Sequence, residues 1–317
     1  MFFKKIKSTY NYLKGKIVKG SKKIILPGFG GLPLHDVVDF FYKGIQKSSL
    51  IARANALSFS FLLAIFPGIL FFFTLIPYIP IKNIDNIIME TIHNALPEHA
   101  YETVDQTIRG IVMQHNEGLL SLGFFVSIYF ASNGMMGMMK AFNRTSHTIE
   151  TRSNLKLRLI SVLLVLFISI LLIIGAAMLI STGILLKYMQ NNELITSDFT
   201  KLLINGGKWL VTLLMTFFAV SIIYYIAPSS RKHSMFFSPG SILATILSFI
   251  FILGFNFYID NFAQYNKLYG SIGTVIILML WVNLNAITLL IGFELNATIM
   301  DARRRRERSL DKYTNAY

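Results

Sequence analysis

The chain has 317 residues, of which 54% are hydrophobic, 14% aromatic and only 15% charged. A water-soluble body of that composition would be left with large exposed apolar surface, so the solvent for most of the chain is expected to be lipid. The absence of cysteine excludes disulfides, thiolate nucleophiles and Cys-based metal or cluster sites, and the net charge of +14 directs attention to where the charges lie.

Residues 1–26 mix lysine with Phe2, Phe3, Ile6, Tyr10, Leu13 and Ile17, the composition of a helix lying among lipid headgroups. A cleavable leader is not expected, because the basic start runs into further lysines and Pro27-Gly28 interrupts Ile24-Ile25-Leu26. After the turn-prone stretch from Pro27 to Pro33, Asp36 is expected to cap a short helix with Val37, Val38, Phe41 and Ile45 on one face.

Six long stretches of low charge follow, at 54–78, 119–142, 157–187, 206–227, 240–259 and 271–299. A hydrocarbon core about 30 Å thick needs roughly 20 helical residues, so each is read as a crossing. Helices satisfy their own backbone groups in lipid and open sheet edges do not, which makes the class all-α: a polytopic membrane protein of six transmembrane helices plus amphipathic interfacial ones. Between the first two crossings, 81–117 carries Ile84, Ile87, Ile88, Ile92 and Leu96, then Val104, Ile108, Ile111 and Val112, with Pro97 between the sets. It reads as an external helical hairpin. The expected organisation is a basic interfacial segment 1–34, a membrane domain 35–300 and a basic tail 301–317.

The charges fall on alternate loops. Lys4 through Arg53, then Lys140, Arg144, Arg152, Lys156, Arg158, Arg231 and Lys232, and finally Arg303 to Arg306, lie on one side, while most acids lie on the other. The positive-inside rule makes the basic side cytoplasmic and places both termini there. The basic excess is then explained by topology and contact with anionic headgroups, and no nucleic-acid partner is expected.

Polar and small residues inside the crossings are the candidate functional positions. Pro67-Gly68 should bend the first crossing and serve as a hinge. The second crossing has small residues suited to close helix approach, and Asn133, whose amide needs a partner in hydrocarbon. Glu294 is an acid within the sixth crossing, about 13 Å before Arg303 at 1.5 Å per residue. Intramembrane carboxylates count as functional hypotheses by default, and an ion pair to Arg53, Arg144 or Arg158 is an equal structural alternative. At 100° per residue, Asn283, Ile287, Glu294 and Thr298 share one stripe and Asn285, Thr288, Gly292 and Asn296 the opposite one, which predicts a central last helix. Asn256, Ser58 and Ser60 are further interior candidates.

The stretch Arg53-Ala54-Asn55-Ala56-Leu57-Ser58-Phe59 with Phe66-Pro67, then Asn143-Arg144, Pro228, Pro239-Gly240, and the run Phe255, Tyr258, Tyr265-Asn266, Tyr269-Gly270-Ser271, Trp281 and Gly292 to Asn296, resembles the YihY/BrkB family of bacterial inner-membrane proteins. The likeness covers about residues 35–300. It implies a six-helix inner-membrane fold and no agreed activity: similar proteins carry a ribonuclease BN label, or are linked to virulence, serum resistance or envelope lipid handling. A zinc nuclease needs clustered ligands. His35, His93, His99, His115, His147 and His233 are instead scattered over both predicted sides. No phosphate-cradling loop, dinucleotide fingerprint or nucleophile elbow is present, so no catalytic residue, metal or cofactor is assigned.

The leading expectation is a non-enzymatic protein that moves a lipid or small amphipathic solute. Its polar path would be Glu294, Asn283, Asn285, Asn296, Asn256 and Asn133, with Arg53, Arg144 or Arg158 as charge partners and membrane lipids as the main partners. Alternatives are a scaffold that holds an envelope protein or a second copy, and a membrane-bound ribonuclease.

Overall fold

A computed structural model of the protein describes residues 22, 24, 25, 28, 29, 31–47, 49–75, 117–145, 150–191, 198–229, 236–262 and 271–314. Most of the N-terminal segment, the external hairpin up to Glu117, and Tyr265, Asn266, Tyr269 and Gly270 lie outside them. The described residues form seven helices: α1 (Leu34–Lys47), α2 (Leu50–Leu75), α3 (Glu117–Thr145), α4 (Asn154–Asn191), α5 (Asp198–Ile226), α6 (Pro239–Phe262) and α7 (Ser271–Thr314). Five are long and apolar enough to cross a bilayer, and six crossings result when α1 and α2, bent by 68° at the break between them, are taken together. The all-helical polytopic class follows from this.

Consecutive helices pack side by side from α2 to α7, and α7 returns to α2, which closes a ring; α7 also reaches α1 and α3. The outer surface of the ring is what lipid requires. Leu159, Leu163, Phe167 and Ile170 of α4 and Leu210, Leu213 and Leu214 of α5 are exposed. Because acyl tails are as apolar as leucine, packing rather than water exclusion holds such helices together. Several buried hydroxyls bond back to carbonyls of their own helices, as Ser58 does to Ala54, Thr245 to Ser241 and Thr288 to Leu284, whereas Ser221 Oγ of α5 has no partner among the described residues. None of the three bonded hydroxyls therefore goes without an acceptor in hydrocarbon.

The buried core lies at one end of the ring, where α2, α4 and α6 begin and α3 and α5 finish. Leu50, Ala54 and Leu57 meet Met138, Met139 and Phe142, and Ala286, Leu290 and Phe293 of α7 complete the cluster. The Phe142 ring stacks on Phe293 at 4.0 Å between centroids, with Tyr224 edge-on to both. This end also carries Lys140, Arg144, Arg152, Lys156, Arg158 and Arg303, so the closely packed end is the basic end.

Local features add to the sequence reading. The first short helix begins at Leu34, so Asp36 is an acid in its first turn instead of its cap; Val37 is buried, while Val38 is 54% exposed. Val37, Phe41 and Ile45 lie on the inward stripe, and Val38, one residue and 100° on, turns away from it. α2 continues through Pro67 and Gly68 as one helix. α7 runs without a break past residue 300, so the basic tail is its direct continuation. The turn before α1 docks on the bundle: Gly28 and Gly31 have φ of 88° and 77°, Phe29 is buried with Leu295 and Ile299, and Arg303 Nη2 donates to the Gly28 carbonyl at 3.2 Å. Only glycine takes those φ values without strain.

Candidate functional site

α2 enters the ring at Leu50 and brings Arg53 into the core one turn later, 6% exposed. Its Nη1 donates to the Ala141 carbonyl near the end of α3 at 3.1 Å, and its Nη2 lies 3.3 Å from Glu294 Oε2 of α7. Glu294 is 5% exposed. Of the three arginines proposed as its partner, the structure selects Arg53. A bare charge at this depth would cost several kcal/mol, so each ion makes the other tenable. The carboxylate also faces α1: a Cβ added at Gly44 would lie 2.9 Å from Glu294 Oε1 and 3.6 Å from Thr298 Oγ1. Glycine at 44 is what lets α1 close over the pair.

About 16 Å before Glu294 along α7, at 1.5 Å per residue, Asn283 turns to the same neighbour. Its Nδ2 donates to Asn55 Oδ1 at 2.8 Å and to Ser58 Oγ at 3.0 Å. Beside them a cavity of about 490 Å³ runs between α2 and α7, lined by Asn55, Ser58, Phe59, Leu62, Ile276, Met279, Leu280 and Asn283. Its polar lining is confined to the three residues nearest the basic end.

The opposite stripe of α7 meets α6. Asn296 Oδ1 accepts the Gly240 amide at 2.8 Å, and its Nδ2 donates to Ser238 Oγ at 2.9 Å, so this side chain caps the start of α6. Here the two backbones touch: a Cβ at Gly240 would lie 2.1 Å from the Gly292 carbonyl oxygen, and one at Gly292 would lie 2.6 Å from the Gly240 carbonyl oxygen. Tyr224 of α5 ties in by donating to the Leu289 carbonyl at 2.6 Å.

The remaining candidates separate from these two seams. Arg158 of α4 hydrogen-bonds Asn133 of α3 and sits 4.4 Å over the Tyr129 ring, a cation–π contact that joins those helices. Arg144 is exposed at the end of α3. Asn285 donates to the Trp281 carbonyl of its own helix, and Trp281 itself is 42% exposed. Ser60 is half-buried and bonded to Ala56. Asn256 is exposed on α6, not interior; it lies six residues, about 9 Å, before the helix end, and polar groups toward the end of a crossing can face outward at less cost than at its centre.

Sequence reasoning missed a clasp at the basic end. Glu150, in the link between α3 and α4, takes Arg152 Nε on one oxygen and Nη2 on the other, both at 2.7 Å, and is hydrogen-bonded by Asn143. Arg152 Nη2 also donates to the Ala227 carbonyl at 3.0 Å, and Asn143 Oδ1 accepts the Ser229 amide at 3.0 Å. The clasp therefore fastens the α3–α4 link to the end of α5. The hydrogen-bonded Arg152 guanidinium, with help from Asn143, holds the Glu150 carboxyl below the ordinary glutamate range, against the opposing effect of burial. The available signal was Glu150 itself, an acid in an otherwise basic link. Among the described residues, no three His, Asp or Glu gather as a metal site.

The profile of the virulence factor BrkB family matches residues 41–315. A ribonuclease-like protein of Bacillus subtilis (strain 168), YfkH, is 31% identical over 249 residues, covering 78% of this chain and 89% of its own length. A UPF0761 membrane protein of Haemophilus influenzae (strain 86-028NP) is 26% identical over 269 residues, 82% of this chain and 93% of its own. Another, from Alteromonas mediterranea, is 24% identical over 277 residues, 85% and 89% of the two chains. No solved structure matches. With the profile spanning nearly the whole membrane domain and the helices built to cross a bilayer, the chain belongs to the BrkB virulence factor family and is a multi-pass membrane protein.

Proposed function

We propose that the protein moves, or assists the movement of, a lipid or small amphipathic solute across or between the leaflets of the bacterial inner membrane, with both termini cytoplasmic. The observation that carries this reading is the buried Arg53–Glu294 pair at the junction of α1, α2, α3 and α7. A hydrophobic pair of similar volume would hold helices at least as well, so a charged pair kept at membrane depth is better accounted for by use than by stability. In this mechanism the pair opens toward the α2–α7 cavity. Arg53 then meets a lipid phosphate or similar anion while Glu294 is left to take a proton or the displaced cation, with Asn283 and Asn55 next along the path. The orientation rests on the basic charges gathered at the closely packed end.

The test is lipid movement in vesicles containing the purified protein, followed by quenching of a headgroup-labelled phospholipid. Glu294→Gln keeps size and hydrogen-bonding capacity, inserts normally and stops the movement. Full activity of this variant removes the carboxylate from the mechanism.

A specific observation favours a second reading. Asn296, Asn283, Asn133 and Arg158 each have a partner on a neighbouring helix, which is what a static scaffold for envelope proteins needs. Under that reading Glu294→Gln leaves function intact, and replacing the external hairpin 81–117 destroys it. The ribonuclease name of the Bacillus relative carries no comparable feature here; protein free of contaminating nuclease, assayed with and without divalent metal, tests it.

A further inference from the structure

The cavity between α2 and α7 is amphipathic along its length. Asn55, Ser58 and Asn283 close the end nearer the basic side, and Phe59, Leu62 and Met279 are among the apolar residues that line the remainder. The groove belongs to the lipid-facing surface, since Phe59 is 60% exposed and Met279 47%. Its 490 Å³ falls within the roughly 300–1,000 Å³ typical of small-ligand sites.

The polar end is incompletely matched. Asn283 Nδ2 donates to Asn55 Oδ1 and Ser58 Oγ, whereas the Asn55 amide nitrogen, a carrier of two N–H donors, meets no acceptor among the described residues. A donor that faces hydrocarbon calls for an acceptor. A helix of a second copy would bring mainly carbon on its apolar face, with carbonyls that already accept one bond within the helix. A glycerolipid brings ester and phosphate oxygens, all acceptors, joined to a chain that suits the apolar remainder. From this we infer that the α2–α7 groove is a lipid site, holding one acyl chain of a glycerophospholipid along Phe59, Leu62 and Met279 with an ester or phosphate oxygen accepting from Asn55.

The inference rests on the transport reading only for the idea that this lipid is cargo; occupancy does not depend on it. The test uses the full chain in vesicles of phosphatidylethanolamine and phosphatidylglycerol, with a phosphatidylglycerol bearing a diazirine in one acyl chain. After illumination, mass spectrometry locates the label. It concentrates on the groove residues of α2 and α7, and the pair Leu62→Trp with Met279→Trp, which fills the groove, abolishes it there. Asn55→Leu leaves the groove open but removes about one hydrogen bond's worth of affinity, so labelling falls about fivefold. Circular dichroism checks that each variant is folded.

Label spread evenly over Phe167, Leu213 and the groove, unchanged in both variants, means bulk lipid only and overturns the site. So does a disulfide-linked dimer from Leu280→Cys in a chain that otherwise has no cysteine, since a second copy then covers the groove. Groove labelling that persists in Glu294→Gln after movement has stopped supports the site. Groove labelling in a wild-type protein that moves no lipid also keeps the site, while the transport reading falls.

Discussion

The two seams of α7 are built on opposite plans. Toward α6, Gly240 and Gly292 let the backbones touch, and Asn296 bridges to Ser238 and the Gly240 amide. Toward α2, apolar packing near the basic end is joined, among the described residues, by the Arg53–Glu294 pair and by the bonds of Asn283 to Asn55 and Ser58, with a cavity beside them. Backbone contact admits no sliding without a clash, because packed interiors resist change of shape. Side-chain contacts across a cavity can break and reform. If this molecule opens within the membrane, it opens between α2 and α7 and pivots on α6.

The largest effect is expected from Arg53→Ala, which strands the buried Glu294 and costs about 3–5 kcal/mol in reversible unfolding. Replacing both residues by leucine recovers most of that stability without restoring function. An Arg53→Ala protein as stable as the parent would show the pair to be hydrated and the two seams to be alike in strength. Next is Gly292→Ala, whose new methyl meets the Gly240 carbonyl and Tyr224 Oη at 2.6 Å. Separating the helices or moving the ring costs about 1–3 kcal/mol, read as a lowered melting temperature, and an unaffected protein would mean that this seam gives as readily as the other.

Asn296→Ala removes the cap of α6 and costs about 1 kcal/mol, measured in the same way. The smallest effect concerns the clasp. Glu150 is held below its ordinary pKa in the folded protein, so the unfolded chain takes up its proton first as pH falls. Its contribution to stability is whole above the ordinary glutamate range and is lost as pH drops through the lower folded value. Melting curves from pH 7 down to 3 should show an acid-side loss in the parent that is reduced in Glu150→Gln. An equal loss in both would place the acid sensitivity outside the clasp.

How far the sequence could be read follows from what periodicity encodes. Run length and the 3.6-residue period placed the helices and split α7 into two polar stripes, and Asn283 with Glu294 does turn to α2 while Gly292 with Asn296 turns to α6. Periodicity supplies an angle, however, and no neighbour. That Arg53 and not Arg158 answers Glu294 depends on ring order, and Arg158 is occupied by Asn133. Asn256 shows the same limit in depth, since a polar residue near a helix end can face outward at little cost. The clasp was out of reach because it joins two links that only the closed ring brings together. Gly44 and Gly240 needed a three-dimensional neighbour before their missing side chains acquired meaning.

One feature of α7 bears on how an interior event is felt outside. Its 44 residues make a rod about 66 Å long, more than twice the thickness of the hydrocarbon. No turn interrupts it between Glu294 and the arginines at 303–306, so a twist or tilt at the carboxylate is carried to that cationic stem. If the Arg53–Glu294 pair parts in use, the unbroken helix couples that event to the cationic stem beyond it.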